Sequence, residues 1–278
     1  MESVTAAVVQ MTSTDDVAHN LGEARRWVEA AAQAGATVVS LPEYFCWIGS
    51  DERERVALAE RFGDGPLQNA LAALARDTGV WLIGGTVPIR PDGGPQLGTH
   101  AFNTALMFDP RGQCTARYDK IHLFSFSDGI ERHAEADTML GGDSIGHAVT
   151  PFGNVRLSVC YDLRFPELYR AAPAADVIAV PAAFTHTTGL AHWELLLRAR
   201  AVENQAHVLA AGQCGTHPNG WRTFGHSMIV GPWGEVLARR DEEAGIAVAR
   251  LETEARQAAR TRLPALSHRR IATPAHIV

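Results

Sequence analysis

Three residues with reactive side chains each follow a short apolar segment of the sequence. Glu43 stands in S-L-P-E-Y, Lys120 in A-R-Y-D-K-I-H and Cys160 in V-R-L-S-V-C-Y-D-L-R-F-P-E. Taken singly, each has a plain structural explanation, because a free cysteine is usually a small buried hydrophobe and a charged residue is usually solvated. In open α/β sheets, however, active sites form beyond the carboxyl ends of the strands. We therefore expect the three side chains to meet in one crevice.

The three groups together fit acyl transfer by a cysteine nucleophile. A thiol needs an adjacent base or a lowered pKa before it attacks a carbonyl carbon, and Glu43 can accept its proton. The Lys120 ammonium would favour both the thiolate and the oxyanion of a tetrahedral intermediate. The turn after Cys160 can aim a backbone N–H, that of Tyr161, at the same oxyanion. After ammonia leaves, Glu43 can activate water against the thioester.

Three competing signals in the sequence are weaker. G-D-S-I-G at residues 142–146 matches the G-x-S-x-G nucleophile elbow, but that motif requires a strand before it and a helix after it, and the flanking sequence fits neither. Among the twelve histidines, His122, His192 and His226 are interpreted as structural hydrogen-bonding residues, because Glu43 already supplies a base. Neither C-x-x-C nor H-E-x-x-H occurs, so we predict no metal and no cofactor.

Alternating strand and helix patterns must position these residues. Helix-type spacing and end signals predict helices over about residues 16–34, 66–77, 165–172, 191–205 and 252–262. Apolar β-branched runs predict strands over about residues 4–9, 37–41, 80–89, 102–108, 114–118, 155–159, 176–180, 207–211, 227–230, 235–239 and 246–251. The polar stretch 125–146 shows little periodicity and is predicted to be a functional loop. The pattern indicates one α/β domain over residues 1–278, with two sheets between helices.

Composition excludes several classes of function. The chain has 278 residues, 46% of them hydrophobic, and a net charge of -6 without a basic stripe, so nucleic acid is not an expected partner. The N-terminus M-E-S-V-T-A-A-V-V lacks the basic start and long apolar core of a signal peptide, and no apolar run is long enough to span a membrane. With only four widely spaced cysteines, reduced thiols and a cytoplasmic location are expected.

Longer stretches of the sequence match motifs of a known family. They are P-E-Y-F at 42–45, Y-D-K-I-H-L-F at 118–124, C-Y-D-L-R-F-P-E-L at 160–168, A-F-T at 183–185, T-G-L-A-H-W-E-L-L-L-R-A-R-A-V-E at 188–203, A-A-G-Q-C-G at 210–215, G-H-S-M-I-V-G-P-W-G at 225–234 and L-P-A-L-S-H-R-R at 263–270. With these motifs, the chain resembles the nitrilase superfamily of carbon–nitrogen hydrolases. Within it, the chain is most similar to the branch of deaminated-glutathione amidase and omega-amidase.

The resemblance implies a fold and a set of site residues. The fold would be a four-layer α-β-β-α sandwich. The chains would form homodimers through a helix face, or higher homo-oligomers, with the tail 263–278 at an oligomer interface. Glu43, Lys120 and Cys160 would be the Glu-Lys-Cys triad. The family's second glutamate matches Glu135 in R-H-A-E-A-D-T, although Ala136 replaces the usual serine and residues 125–132 depart from the usual spacing.

The expected function is cysteine-dependent hydrolysis of a small non-peptide carboxamide to a carboxylate and ammonia. Arg164, four residues after Cys160, could grip a substrate carboxylate with two parallel hydrogen bonds, or could form an ion pair with Glu167 or Asp162. The resemblance favours deaminated glutathione or a related carboxylated amide as substrate. The alternatives are omega-amidase action on alpha-keto amides, nitrilase action and hydrolysis of N-carbamoyl amides. A non-catalytic scaffold of the same fold would have lost a triad member, and all three remain.

Overall fold

The computed structural model describes residues 1–127 and 132–271. Residues 128–131, within the predicted functional loop, and 272–278, within the predicted interface tail, lie outside the described residues. The strands are β1 (Val4–Gln10), β2 (Val38–Ser40), β3 (Trp81–Ile83), β4 (Val87–Ile89), β5 (Ala101–Phe108), β6 (Cys114–Asp119), β7 (Ser125–Ser127), β8 (Arg132–Ala134), β9 (Met139–Leu140), β10 (His147–Thr150), β11 (Gly153–Leu157), β12 (Val177–Ala179), β13 (His207–Ala210), β14 (Cys214–Thr216), β15 (Arg222–Phe224), β16 (Met228–Val230), β17 (Val236–Arg239) and β18 (Gly245–Leu251).

The α-helices are α1 (Val17–Gln33), α2 (Glu52–Ala57), α3 (Pro66–Thr78), α4 (Pro166–Arg170), α5 (His186–Asn204) and α6 (Thr253–Arg262). Two 3₁₀ helices, Glu135–Asp137 and Cys160–Arg164, lie beside the predicted site residues. Within the described stretches, none of the helices combines the length and apolar character needed to cross a bilayer.

Most strands belong to two sheets. The first has the order β18-β1-β2-β3-β5-β4, with β6 and β9 also pairing to β5. The second has the order β10-β11-β12-β13-β16-β17. Parallel strands occupy the middle of both sheets, β1-β2-β3 in the first and β11-β12-β13 in the second. Parallel strands require crossover connections, and in each sheet helices supply them.

The two faces of β1 show how the layers stack. Ala6 and Val8 belong to the apolar cluster that contains Val155 and Leu157 of the second sheet, so this face packs between the sheets. Ala7 and Val9 alternate with them and belong to the cluster formed with α1 and α3. Trp193 and Leu197 of α5 cover the second sheet. The predicted α-β-β-α sandwich is confirmed.

Helix ends follow the chemistry that the sequence predicts. Asp16 caps α1 by accepting a hydrogen bond from the His19 backbone N–H at 3.0 Å. Pro66 begins α3, and Gly79 ends it in the left-handed conformation with φ of 68°. Local end signals were sufficient here because each depends on residues within one helical turn.

Other predicted elements differ from the structure. The predicted strand 80–89 is two strands, because the chain turns at Gly84 and Gly85, where Gly85 has φ of 60° and a side chain would meet the Pro42 carbonyl. Helix α5 begins at His186, five residues before the predicted start, and α2 was not predicted. The predicted loop 125–146 contains β7, β8, β9 and a 3₁₀ helix that starts at Glu135. G-D-S-I-G lies between β9 and β10, where no helix follows it.

Candidate active site

The chain brings four predicted site residues into one buried region between the two sheets. Glu43 follows β2 after Pro42, Lys120 follows β6, Glu135 begins one 3₁₀ helix and Cys160 begins the other after β11. Glu43 and Lys120 are each 1% exposed, Glu135 is 7% exposed and Cys160 is 8% exposed. Charged groups this deeply buried must be paired, because an unpaired ion loses its hydration without compensation.

Lys120 lies between the two glutamates. Its Nζ donates to Glu43 Oε1 at 2.9 Å and to Glu135 Oε2 at 2.8 Å. Burial lowers the pKa of Lys120, but the charges of Glu135 and Glu43 outweigh burial and hold the pKa well above its ordinary value. Burial likewise raises the pKa of Glu135, but the charge and hydrogen bond of Lys120 outweigh it, so the pKa is lowered overall. The ammonium and the Glu135 carboxylate are therefore both ionised at neutral pH.

Two further side chains, which the sequence did not indicate, donate hydrogen bonds to these carboxylates. Asn103 Nδ2 donates to Glu43 Oε1 at 2.9 Å and to Glu135 Oε1 at 3.0 Å. The Tyr44 hydroxyl donates to Glu135 Oε1 at 2.7 Å. A signal for Asn103 was present, since a polar amide interrupts the apolar strand A-F-N-T-A-L-M-F.

Backbone donors supply the remaining contacts. The Ala183 N–H donates to Glu43 Oε2 at 2.8 Å, and the Phe124 N–H donates to Glu135 Oε2 at 2.8 Å. Glu43 Oε1 thus receives both side-chain donors, whereas Oε2 receives one backbone donor. No side-chain pattern in the sequence could reveal these contacts, because every residue except proline has a backbone N–H.

Cys160 is held in an unusual backbone conformation beside Glu43. Its φ is 45°, in the left-handed region, and its N–H donates to the Pro181 carbonyl at 2.9 Å. Asp162 fixes the turn by accepting hydrogen bonds from the Val159 N–H at 2.8 Å and the Tyr118 hydroxyl at 2.8 Å. Strain of this kind costs about 1–3 kcal/mol and concentrates at functional sites.

The thiol of Cys160 is predominantly protonated in the resting protein. Burial and then the negative charge of Glu43 raise its pKa well above the ordinary value, and Lys120 lowers it only in part. A nucleophilic role for this sulfur would require a base, and the Glu43 carboxylate is close enough to be a candidate.

Arg164 and Tyr161 lie among aromatic rings next to these groups. The Arg164 guanidinium carbon is 5.8 Å from the centroid of the Tyr161 ring and 5.3 Å from that of Phe184. Its Nη1 donates to His192 Nδ1 at 3.2 Å. Among the described residues, Arg164 makes no ion pair with Glu167 or Asp162, and Asp162 instead accepts from His122 Nδ1 at 2.7 Å. His122 and His192 are thus hydrogen-bonding residues of the surrounding structure.

The described residues contain no cluster of side chains suited to bind a metal ion. Across residues 1–127 and 132–271, no three or more His, Cys, Asp and Glu side chains are grouped so that they could hold a metal ion.

Comparison with known proteins identifies the family. The family model for carbon–nitrogen hydrolases matches residues 5–261. The chain belongs to the carbon–nitrogen hydrolase family. Deaminated glutathione amidase of Synechocystis sp. is 40% identical over 276 residues, which cover 97% of this chain and 99% of that protein. Deaminated glutathione amidase of Homo sapiens is 40% identical over 268 residues, covering 95% of this chain and 81% of that protein.

Solved structures agree with this assignment. The NitFhit protein of C. elegans superposes with a TM-score of 0.87 at 37% identity, covering 96% of this chain and 65% of that one. Saccharomyces cerevisiae Nit3, a member of the nitrilase superfamily, superposes with a TM-score of 0.86 at 29% identity, covering 97% of both chains. The predicted resemblance is confirmed, as is the prediction of an amidase acting on carbon–nitrogen bonds other than peptide bonds.

Proposed function

We propose that this carbon–nitrogen hydrolase cleaves a small carboxamide through a thioester on Cys160, with Glu43 as base and Lys120 as electrostatic catalyst. The observation that carries the proposal is the position of Glu43, whose carboxylate accepts from the Lys120 ammonium at 2.9 Å and lies close enough to Cys160 for its charge to raise the pKa of the thiol. The proposed nucleophile, base and cation therefore lie together in one buried site.

In the first half-reaction, one carboxylate oxygen of Glu43 accepts the proton of the Cys160 thiol. Lys120 and Asn103 both donate to Oε1, so Oε2 is the better-placed oxygen to take the thiol proton. As the sulfur attacks the amide carbon, Lys120 and the Tyr161 N–H stabilise the oxyanion. The protonated Glu43 then gives its proton to the leaving nitrogen, and ammonia departs. The C–N bond breaks, and a thioester remains on Cys160.

The second half-reaction reverses the proton transfer. Water occupies the place of ammonia, and Glu43 removes its proton while the oxygen attacks the thioester carbon. The carboxylic acid leaves, and the sulfur takes back the proton. Glu135 acts through Lys120, because its contact at 2.8 Å keeps the ammonium charged and oriented throughout. The amidase from Nesterenkonia sp. AN1, a solved relative at 28% identity, was captured after addition of acrylamide at its active-site cysteine, which supports the assignment of Cys160.

We propose an amide that carries a remote carboxylate, with deaminated glutathione or a related compound as the substrate. The relatives named deaminated glutathione amidase support this choice. Arg164 supports it too, since no carboxylate among the described residues neutralises it and only His192 accepts from it at 3.2 Å. Tyr161 and Phe184 flank the guanidinium and directly follow Cys160 and Ala183, so Arg164 lies close to the reacting atoms.

An ammonia-release assay over a panel of substrates tests both parts of the proposal. The panel contains deaminated glutathione, alpha-keto amides, N-carbamoyl amides, nitriles and neutral analogues without the remote carboxylate. We expect the carboxylated amides to be hydrolysed fastest. Turnover of nitriles alone, or of none of the panel, would contradict the proposed amidase function.

Variants of Arg164 test the carboxylate contact. A two-pronged charge-assisted contact is worth roughly 1.5–3 kcal/mol, so Arg164→Ala should lower kcat/KM for the carboxylated amide about 10- to 150-fold. Arg164→Lys should recover only part of this loss, because it keeps the charge and loses the planar fork. Arg26→Ala, which removes an exposed arginine from α1, is the control. Equal losses on carboxylated and neutral amides would make Arg164 structural.

We further propose a cytoplasmic homodimer formed through α5. This helix buries Trp193 and Leu197 on one face, yet Leu195 and Val202 are exposed on the opposite face, and Leu190 is exposed near the N-terminal end of the helix. A helix that is apolar on both faces has a second surface to cover. The tail from residue 263 onward begins beside the end of α5, where Gln205 Nε2 donates to the Leu263 carbonyl at 2.6 Å, and further along it the Arg269 guanidinium donates to the Arg170 carbonyl of α4 at 2.9 Å. Sedimentation of the wild type and of Leu195→Glu tests the interface, and a monomeric wild type would refute it.

A further inference from the structure

Arg55 on α2 is a buried cation whose nitrogens lack hydrogen bonds. The residue is 1% exposed, and within the described chain its Nε, Nη1 and Nη2 are buried without a hydrogen-bond partner. The Glu52 carboxylate, 3.8 Å from Nη2 and partly exposed, is its ion-pair partner at a loose distance. A guanidinium offers five N–H donors and normally uses most of them when it is buried.

The guanidinium lies instead over aromatic rings that lead to the active site. Its central carbon is 3.7 Å from the centroid of the Tyr44 ring and 5.5 Å from that of Trp47. Tyr44 directly follows Glu43, has φ of 56°, and donates its hydroxyl to Glu135 at 2.7 Å. Arg55, Tyr44, Glu135 and Lys120 therefore form one unbroken series of contacts.

A second contact joins α2 to the 3₁₀ helix that begins at Glu135. Glu52 Oε2 accepts a hydrogen bond from Thr138 Oγ1 at 3.3 Å, just after that helix ends. The helix carrying Arg55 thus contacts the Glu135 segment directly as well as through Tyr44.

Packing alone does not account for a cation at this position. A buried charge without hydrogen bonds costs stability, and an apolar side chain of similar volume is often neutral or stabilising in its place. The site offers an electrostatic reason. The Glu43 and Glu135 carboxylates carry one more charge than the Lys120 ammonium neutralises. Arg55 supplies a buried positive charge against the ring of Tyr44.

We propose that Arg55 is a positioning residue for this reaction: through the Tyr44 ring it fixes the hydroxyl that holds Glu135, and through Glu135 it orients Lys120. The inference rests on the proposed function, since it assigns Arg55 a role in that same site. A cation on a tyrosine face draws electron density from the ring, so it also makes the hydroxyl a stronger donor.

The test compares Arg55→Met and Tyr44→Phe with the control Arg53→Met, which makes the same change at an exposed position of α2. Loss of a desolvated cation–π contact corresponds to about a 10- to 30-fold change in rate. Arg55→Met should therefore lower kcat by that factor with little change in KM. Its Tm should equal or exceed that of the wild type. Tyr44→Phe should have a similar effect on kcat, and the double variant should be no worse than the more damaged single variant. Arg55→Lys should restore part of the rate, because it keeps the charge without the planar stacking.

A readout independent of turnover separates this inference from the proposed function. The rate of Cys160 alkylation by iodoacetamide, followed by mass spectrometry, depends on Lys120 stabilising the thiolate, whatever the substrate is. We expect slower alkylation in Arg55→Met and Tyr44→Phe and no change in Arg53→Met. A lower Tm with unchanged kcat and alkylation would make Arg55 structural. Losses in kcat that multiply in the double variant would also overturn the proposal. If Arg55→Met does not fold, unchanged kcat and alkylation in Tyr44→Phe overturn it instead.

Discussion

Two buried ionic clusters in this protein have opposite compositions. The carboxylate–lysine cluster (Glu43, Lys120 and Glu135) sets two carboxylates against one cation beside a thiol. The aspartate–arginine cluster (Asp176, Arg256 and Arg260) sets two cations against one carboxylate and attaches α6 to β12 and α5. Both clusters are paired and largely buried, so burial of ions does not by itself indicate catalysis.

The two clusters differ in which hydrogen-bonding groups remain after the ion pairs have formed. In the aspartate–arginine cluster, surplus donors are satisfied by main-chain carbonyls, since Arg260 donates to the carbonyls of Ala175 and Gln205. In the carboxylate–lysine cluster, the surplus is a carboxylate oxygen next to a nucleophile. A surplus acceptor can take up a proton during a reaction, whereas a saturated arginine cannot. An excess of carboxylate beside a strained cysteine therefore favours the carboxylate–lysine cluster as the proposed active site.

The largest effect is expected when the proposed nucleophile, Cys160, is replaced. Cys160→Ala should lower ammonia release by at least about a thousandfold, because the thioester cannot form. Cys160→Ser should retain little activity, since a hydroxyl is far harder for Glu43 to ionise. Thermal unfolding should show an intact fold in both. The control is Cys214→Ala, another buried free cysteine, which should stay active. Near-normal turnover of Cys160→Ala would refute the mechanism.

A matching substitution in the other cluster removes the carboxylate of the aspartate–arginine cluster. Asp176→Asn leaves two arginines without their carboxylate and should lower the free energy of unfolding by about 3–5 kcal/mol, measured by urea denaturation. The kcat of the folded enzyme should remain unchanged well below its Tm. Asp77→Asn, an exposed aspartate on α3, serves as the control. A kcat that fell with stability intact would remove the distinction between the two clusters.

The pH dependence of stability reports on the same cluster through His207. Burial, and then the charges of Arg256 and Arg260, lower the pKa of His207 to about 4. The unfolded chain takes up this proton near pH 6.5 and the folded chain only near 4, so stability falls as pH drops between these values. The loss should reach about 3 kcal/mol at low pH. Urea unfolding of the wild type and His207→Gln at pH 7 and 4.5 measures it, and equal pH slopes would contradict the assignment.

The smallest expected effect concerns Asn103, which bridges the two carboxylates of the carboxylate–lysine cluster. Asn103→Leu removes one donor from Glu43 and one from Glu135. Only the part of this stabilisation that differs between the resting state and the transition state affects the rate, and Lys120 still holds both carboxylates, so we expect about a 10- to 100-fold loss of kcat with KM little changed. Asn103→Asp should be worse at neutral pH, since it adds a third carboxylate. Asn69→Leu on the exposed face of α3 is the control, and unaltered kcat in Asn103→Leu would show that the bridge is dispensable.

The sequence by itself determined the sandwich layers and the residues most able to react. The apolar run of β1, the Asp16 cap and the Pro66 start are local, so short-range chemistry specified them. Glu43, Lys120 and Cys160 were identifiable because reactive groups after apolar strands have few structural explanations when they occur together. The strand break at Gly84 and Gly85 was missed because the Pro42 carbonyl that occupies the side-chain space comes from a distant segment.

Only the tertiary structure decided how these residues are held. The Ala183 N–H reaches Glu43 across 140 positions of sequence, and the Tyr44 hydroxyl reaches Glu135 across 91. Arg55 lies in a short helix with no pattern that points to the site. Hydrophobic periodicity in the sequence predicts which face of a helix or strand is buried. It does not predict which donor from another element will bind a polar group on that face. Partners of buried polar groups are set when strands and helices pack, and for that reason they could be read only from the folded chain.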